Sequence, residues 1–433
     1  MILVLNTGSS SVKYRLFSSS FATVAKGLVE RVGEDGGDAP DHESALRRIM
    51  SELDLDGLTA VGHRVVHGGP EFSAATVLDD DVIATIERLV PLAPLHNPPA
   101  LAGIAVARKL LPGVPQVAVF DTAFHATIPP EGVTWAIDAT LAARWQIRRY
   151  GFHGTSHAYV SRRTAGLLGK RPDQVNVITL HLGNGASACA VEAGRSVATS
   201  MGMSPQGGLV MGTRSGDIDP TVVFHLHRVA GLPLDEIERS LTRGAGMLGL
   251  TGDNDMRAIE RRRDEGDEAA TLAFATYARR IREYVGAYAA VLGRVDAVTF
   301  TGGVGENSPA VRAAAVSGLT TLGLDLDDAR NLDPGHTRDP DPAHTRDVDP
   351  GIRDLEPGET RDPGRDDGRA AVISTDSSRT AICVVATDEE REIATQAQSA
   401  LAQAASMDAR SAFTADQNDS SGGSGANSHI RSR

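Results

Sequence analysis

Several short stretches of the 433-residue chain hold side chains suited to handling an anion. Arg64 lies in VGHRVVHGG, Arg214 in MGTRSGDIDP, and Lys13 stands two positions after the small-residue run NTGSSS. Arginine offers a planar fork to carboxylate or phosphate, and lysine adds a point charge. A Gly/Ser loop lets backbone N–H and hydroxyl groups approach a phosphate closely, although an ordinary Gly/Ser turn would read the same way. Arg214 has no helix face and no obvious carboxylate partner in the sequence, which favours ligand contact. Asp121 follows the apolar run Val117 to Phe120. An acid at the carboxyl end of an α/β strand is where ligand chemistry usually sits, with capping of the next turn as the alternative. His153 precedes Gly154 and is expected to face a ligand from a loop. His63 and His67 are four apart, but a helix running into Gly68-Gly69-Pro70 is disfavoured, so no paired metal site is expected there.

These groups need a frame. Ile2 to Leu5 is an apolar run, NTGSSS a tight polar turn, and Val12, Tyr14 and Leu16 alternate with Lys13 and Arg15. That is strand, turn, strand. The unit returns as Val175 to Leu180, the turn His181 to Ser187, and Ala188 to Val191. A third glycine turn, Gly302 to Asn307, follows the strand Ala297 to Thr301, suited to a nucleoside lying against bare backbone. Two hairpins and this turn, in this order, indicate a duplicated α/β architecture with phosphate between facing turns. Helices are expected near Ser44–Leu53, Asp79–Val90 and Ala100–Leu111. Others should follow a Thr155 or Ser156 cap and Asp219-Pro220, begin within Gly252 to Arg257, and run from Ala269 to Leu292 and from Thr387 to about Ala404. Gly169-Lys170-Arg171 lacks the Ser/Thr and the spacing of a P-loop.

Bulk properties narrow the class. The composition is 41% hydrophobic and 23% charged with a net charge of -13, which is globular and argues against a nucleic-acid surface. The length points to two domains. Cys189 and Cys383 sit in apolar runs, so no disulfide framework is expected and a reducing compartment is favoured. The sequence shows neither a signal peptide nor an apolar run of membrane-spanning length, which makes a cytoplasmic protein the expectation. Residues 331–370, rich in Asp, Arg, Pro and Gly, read as a disordered insertion, and 405–433 as a flexible tail.

With the motifs NTGSSSVKY, GHRVVHGG, APLHNPP, VFDTAFH, YGFHGTSH, HLGNGAS, MGTRSGDIDP, TGGVGENS and TDEE in order, the chain resembles the acetate kinase family. That family belongs to the actin-like superfamily of sugar kinases and heat-shock chaperones. The resemblance implies two duplicated actin-like (ribonuclease H-like) domains flanking a nucleotide cleft. Domain I would be 1–148 plus 386–404, and domain II, which binds nucleotide and forms the dimer, would be 149–385. It implies reversible in-line phosphoryl transfer between ATP and acetate with Mg2+, Mn2+ being an alternative, in a homodimer. Asp121, His153, Arg214, Arg64 and His181 match the catalytic positions. Arg64, Val66, Leu95, Phe152 and Pro205 match the substrate contacts, the last four as a small apolar pocket. Ser9, Ser11 and Lys13 match phosphate contacts. His181, Leu182, Gly183, Asn184 and Gly185 match the nucleotide contacts, as do Asp255, Met256 and Arg257, and Gly303, Val304, Gly305, Glu306 and Asn307. Asn6 and Glu389 match the residues that hold the metal. Met256 departs from the aromatic or aliphatic side chain often found there, and the 331–370 segment has no family counterpart. The competing readings are a propionate or short-chain carboxylate kinase and a non-catalytic actin-like nucleotide binder. The second would not need Arg64, Arg214 and His153, yet all three stand in their motifs.

Overall fold

The computed structural model describes residues 1–334 and 369–421, with side chains through Ser406. Two six-stranded sheets carry the architecture, and they are built alike. In the first, β1 (Ile2–Thr7), β2 (Val12–Phe17) and β3 (Thr23–Val29) form an antiparallel meander. β4 (Ala60–Val65) then pairs parallel to β1, β6 (Gln116–Phe120) parallel to β4, and β5 (Thr76–Val77) closes the edge antiparallel to β6. The second repeats this with β7 (Asn176–Leu182), β8 (Ala186–Glu192) and β9 (Arg195–Thr199) as the meander. β10 (Ala297–Thr301) pairs parallel to β7, β12 (Ala381–Val385) parallel to β10, and β11 (Ala370–Val372) antiparallel to β12. The orders β3-β2-β1-β4-β6-β5 and β9-β8-β7-β10-β12-β11 correspond strand for strand. The duplication read from the two hairpins therefore extends to whole sheets.

The parallel centre explains the unbroken apolar runs: β6, β7 and β10 are buried at every position because helices cover both faces. The long helix Glu268–Leu292 buries Phe274, Tyr277, Ile281 and Val285 against the second sheet, as its spacing predicts. The closing helix starts at Glu389 and returns to the first sheet, where Ile393, Ala394 and Ala397 pack with Ile2, Val4, Val117 and Val119. It crosses so closely that a Cβ at Gly62 would lie 2.9 Å from Ile393 Cγ2. No helix among the described residues is long and apolar enough to cross a membrane. Cys189 and Cys383 are buried free thiols.

Several expected boundaries move. The closing helix continues to Ser421 rather than ending near Ala404, so the expected flexible tail is helical over most of its length. The Ala-, Gln- and Met-bearing sequence after Ala404 has good intrinsic helix propensity. The expected disordered segment starts too early at 331. Asn331 ends a short helix, Asp328–Leu332, and is buried, while 370 belongs to β11; residues 335–368 lie outside the described residues. The helix expected from Ala100 begins at Asn97 because Pro98 and Pro99 fit its first turn. Neither Thr155 nor Ser156 caps its helix; His153 occupies the N-cap. The glycine turn Gly302–Asn307 is itself a short helix.

Arg312, 1% exposed, explains the order at Asn331. Its Nε donates to Asn331 Oδ1 at 2.7 Å and its Nη2 to Asn331 O at 2.6 Å. Nη1 donates to Gly305 O at 2.9 Å and Glu306 O at 3.0 Å, bracing the short helix from below. Arg312→Met should lower the unfolding free energy by about 3 kcal/mol or more, since each hydrogen bond from a charged donor is worth roughly 1.5–3 kcal/mol. Urea denaturation checks this, and an unchanged midpoint would contradict it.

Candidate active site

The parallel strands of both sheets end where the candidate residues gather. Arg64 projects near the end of β4 and Asp121 follows β6, its N–H donating to Val65 O at 3.1 Å. The two side chains form a bidentate pair, Nε to Oδ1 at 2.9 Å and Nη2 to Oδ2 at 2.7 Å, with Asp121 1% exposed. Burial opposes the Arg64 cation, but Asp121, Glu389 and Glu390 outweigh it and hold the guanidinium firmly charged. Burial also raises the Asp121 carboxyl, and Arg64 pulls it back down. Such a carboxylate orients a guanidinium and is poorly placed to remove a proton. Asp121 thus serves neither as a free base nor as a turn cap.

Gly154 N–H donates to Asp121 O at 2.9 Å, which presses the start of the Gly154–Leu167 helix against the end of β6. A Cβ at Gly154 would collide with that same carbonyl. The contact leaves His153 in the left-handed region, φ 56°, a conformation that costs a non-glycine residue energy and is found where structure over-determines it. Its ring lies 4.3 Å, centroid to centroid, from His181. Burial first, then the neighbouring His181, His157, Arg64 and Arg214, drives its pKa well below 6.5. His181 is pushed down to about 4 by burial and Arg64. Both imidazoles are neutral at pH 7.

The second cation arrives on a loop pinned to the second hairpin. Gly212 N–H donates to Asn184 O at 2.9 Å, and the loop turns Arg214 toward Gly185. A Cβ at Gly185 would stand 3.4 Å from His153 Nε2 and 3.6 Å from Arg214 Nη2, so these groups converge over bare backbone. Arg214 Nη1 donates to Pro205 O at 2.6 Å and contacts Met211 Sδ at 3.5 Å. No carboxylate pairs with it among the described residues, and burial alone lowers its pKa. A half-buried cation without an acid is a socket for an anionic ligand.

The segment joining the sheets binds the remaining loops together. Thr387 N–H donates to Glu306 Oε1 at 3.1 Å, and the same carboxylate accepts from Gly302 N–H at 2.9 Å. Ser156 Oγ lies 2.9 Å from Thr387 Oγ1 and 2.7 Å from His181 Nδ1. Arg15 pairs with Asp388 at 2.8 Å, and Lys13 pairs with Glu390 at 2.5 Å while remaining 53% exposed. Ser9 is exposed and Ser11 half-buried on the first hairpin turn. Asn6 and Glu389 are half-buried, and neither makes a side-chain hydrogen bond or ion pair with a described residue. Glu389 acts electrostatically on both Arg64 and Asp121. An amide and one carboxylate with spare oxygens fit Mg2+, which keeps waters and takes its other ligands from phosphates. Among the described residues no three His, Cys, Asp or Glu side chains gather into a protein-only metal cage.

The other expected contacts divide. Phe152 is buried, edge-on to His67 at 5.5 Å, and Val66 packs against the second-sheet core. Leu95 is 59% exposed, so the apolar pocket is open on that side. Leu182 is buried in the core, Gly183 and Gly185 are half-buried and Asn184 is exposed. Gly303 and Asn307 are exposed, with Asn307 Nδ2 donating to Gly303 O at 2.8 Å, Val304 is half-buried and Gly305 buried. Met256 is 7% exposed within the core, while Asp255 caps its helix and pairs with Arg257 at 2.9 Å. Sequence reasoning passed over His96, although its motif was noticed. Its exposed imidazole is within electrostatic reach of Arg214, Arg64 and Asp121; desolvation by the surrounding protein, followed by the two cations, lowers its pKa. His63 Nε2–H donates to Gln116 Oε1 at 2.7 Å from within β4, so His63 and His67 do not share a helix face.

Two duplicated sheets whose strand ends converge on arginines, glycine turns and neutral histidines define an actin-like α/β phosphotransferase. The chain belongs to the Acetokinase family, which it matches over residues 1–341. It is 53% identical over 422 residues to an acetate kinase of Streptomyces griseus, covering 91% of this chain and 95% of the relative. It is 50% identical over 424 residues to an acetate kinase of Leifsonia xyli, covering 93% and 99%. Among solved structures, the acetate kinase of Porphyromonas gingivalis superposes with a TM-score of 0.80 at 39% identity, covering 92% of this chain and 99% of that one. A propionate kinase from Francisella tularensis gives 0.79 at 36% identity with the same coverage, 92% and 99%.

The buried imidazoles make stability acid-sensitive. His63, His67, His125 and His181 are lowered from 6.5 to about 4, and His153 and His157 well below 6.5, in every case chiefly by burial. Folded values lie below unfolded ones, so their contribution is full above pH 6.5 and is lost as pH falls toward 4. Each such group costs roughly 1.4 kcal/mol per pH unit in that window. Urea midpoints should therefore fall steeply between pH 6.5 and 4.5, and a flat profile there would contradict the burial of neutral histidines.

Proposed function

We propose that the chain is an acetate kinase that transfers a phosphoryl group between ATP and acetate in one in-line step. The observation that carries this is the convergence of Arg214 and His153 on Gly185, with Arg64 within electrostatic reach of His153 and no carboxylate paired with Arg214 among the described residues. A carboxylate is already nucleophilic, so the reaction needs no strong base. What it needs is charge to bring one anion onto another and to stabilise the phosphoryl group in transit.

In this reading Arg64, held by Asp121, orients the acetate carboxylate, while Arg214 and the Nε2 edge of His153 face the phosphoryl group. Phe152, Val66, Leu95 and Pro205 surround the methyl group. Asn6 and Glu389 hold Mg2+, which neutralises phosphate charge when bound; Ser9, Ser11 and Lys13 contact the phosphates from the first hairpin. Lys13 leaves Glu390 for the phosphates or bridges both. Asn184, Gly185 and the Gly303–Asn307 helix meet the nucleotide, with Asp255 and Arg257 at its outer edge and Met256 as the apolar floor beneath. Residues 1–148 with 386–404 and residues 149–385 act as the two closing bodies, the second also forming the dimer. Two buried thiols fit a cytoplasmic setting.

The test is phosphorylation of acetate, propionate and butyrate by ATP and Mg2+ in parallel, trapping acyl phosphate as hydroxamate. Acetate should be the best substrate. Propionate should react more slowly, because one methylene in an apolar pocket is worth only about 1–3 kcal/mol. No product with any acid from folded, ATP-binding protein would overturn the proposal. Arg214→Ala should keep its circular dichroism and melting profile while losing about 10²–10³ in turnover, the scale of a lost charge-stabilising donor. Wild-type turnover in that variant would remove Arg214 from the site.

A further inference from the structure

A buried polar chain behind His153 is accounted for neither by substrate contact nor by packing. Thr179 Oγ1 lies 2.7 Å from His157 Nδ1, His157 Nε2 lies 2.8 Å from Ser187 Oγ, and Ser187 Oγ lies 2.9 Å from His153 Nδ1. Thr179, His157 and Ser187 are each 0% exposed. We propose that this chain is proton-ordered and fixes His153 in the tautomer with its hydrogen on Nε2, which makes that atom a donor toward the transferring phosphoryl group. The inference rests on the phosphoryl-transfer reading above and makes Thr179, His157 and Ser187 positioning residues for it.

The direction follows from counting hydrogens. Ser187 has one O–H and two imidazole neighbours and donates to one while accepting from the other, since accepting from both would leave its own buried O–H without an acceptor among the described residues. If it donates to His153 Nδ1, then His157 Nε2–H donates to Ser187, and His157 Nδ1 accepts from the Thr179 hydroxyl. The three hydrogens between these groups are then used, and the fourth, on His153 Nε2, is left facing the open edge of Gly185 rather than in the core. Reversed, His157 Nδ1–H would donate to Thr179, whose own O–H would find no acceptor. Thr179 Oγ1 has no hydrogen-bond partner besides His157 among the described residues, and a buried unsatisfied hydroxyl is costly. Reversal would also turn the Nε2 lone pair of His153 toward the anionic ligand. A doubly protonated chain is opposed by burial and by the nearby Arg64 and Arg214. His153 Nε2 hydrogen-bonds no described residue and faces the open edge of Gly185 beside Arg214.

Thr179→Val and Thr179→Ser separate this role from packing. Valine keeps the shape and removes the hydroxyl; serine keeps the hydroxyl and removes a methyl group. Histidine-labelled protein without substrate reports the His153 tautomer through long-range proton–nitrogen correlations. Wild type and Thr179→Ser should show Nε2–H. Thr179→Val should show loss of the single tautomer and a fall in kcat of about tenfold at unchanged KM for acetate and ATP, equal to roughly 1.4 kcal/mol at the transition state. Thr179→Val with full kcat and Thr179→Ser as the damaged variant would overturn the proposal in favour of packing. Hydrogen on Nδ1 of His153 in wild type would overturn it outright. Should the tautomer be as assigned while no acid is phosphorylated, the ordered chain would stand and the functional reading would fall.

Discussion

Electrostatic repulsion between two anions is the constraint around which this structure is arranged. An acid and a nucleoside triphosphate approach each other only where fixed positive charge awaits them, and water cannot be relied on inside a closed cleft. The chain has 43 Lys and Arg against 56 Asp and Glu, so the cations at the site are a local exception to an acidic whole. They are also supplied in two different ways. Arg64 is locked to Asp121 and serves as a rigid fork, whereas Arg214 rests on the Pro205 carbonyl and keeps its charge for the ligand. One is oriented by a carboxylate of the protein; the other, in the proposed function, is completed by the substrate.

Duplication supplies the frame for that arrangement. Each sheet ends its parallel strands on the cleft, so Arg64 and Asp121 come from one copy, and Gly302 and Thr387 occupy the corresponding region of the other. The segment Thr387 to Glu390 stitches the copies together: Thr387 touches Glu306 and Ser156, Asp388 holds Arg15, and Glu390 holds Lys13. Movement of one body relative to the other must pass through these contacts.

The hairpins, the third glycine turn and the cationic positions were legible in the sequence because each is a local pattern: apolar run, small-residue turn, alternation. The resemblance to a family added roles to them. Local pattern fails where distant residues decide. His153 as an N-cap in the left-handed region depends on Gly154 pressing against Asp121, which nothing near residue 153 announces. Asn331 looks like the start of a polar insertion but is held by Arg312, nineteen positions earlier. Thr179 and Ser187 read as ordinary strand residues, since their partner His157 comes from a helix 22 and 30 positions away. The helix past Ala404 was obscured by the Gly/Ser-rich end that follows it.

Direct transfer is the central claim, and the geometry gives it a specific form. Asp121 is occupied by Arg64, and in the proposed tautomer His153 Nε2–H is a donor rather than a nucleophile, so neither of these two side chains is set to carry the phosphoryl group itself. The most direct measurement is the configuration of acetyl phosphate formed from ATP made chiral at the γ-phosphorus. Inversion at phosphorus is the predicted result. Retention would require an intermediate phosphorylated on the protein and would contradict the account.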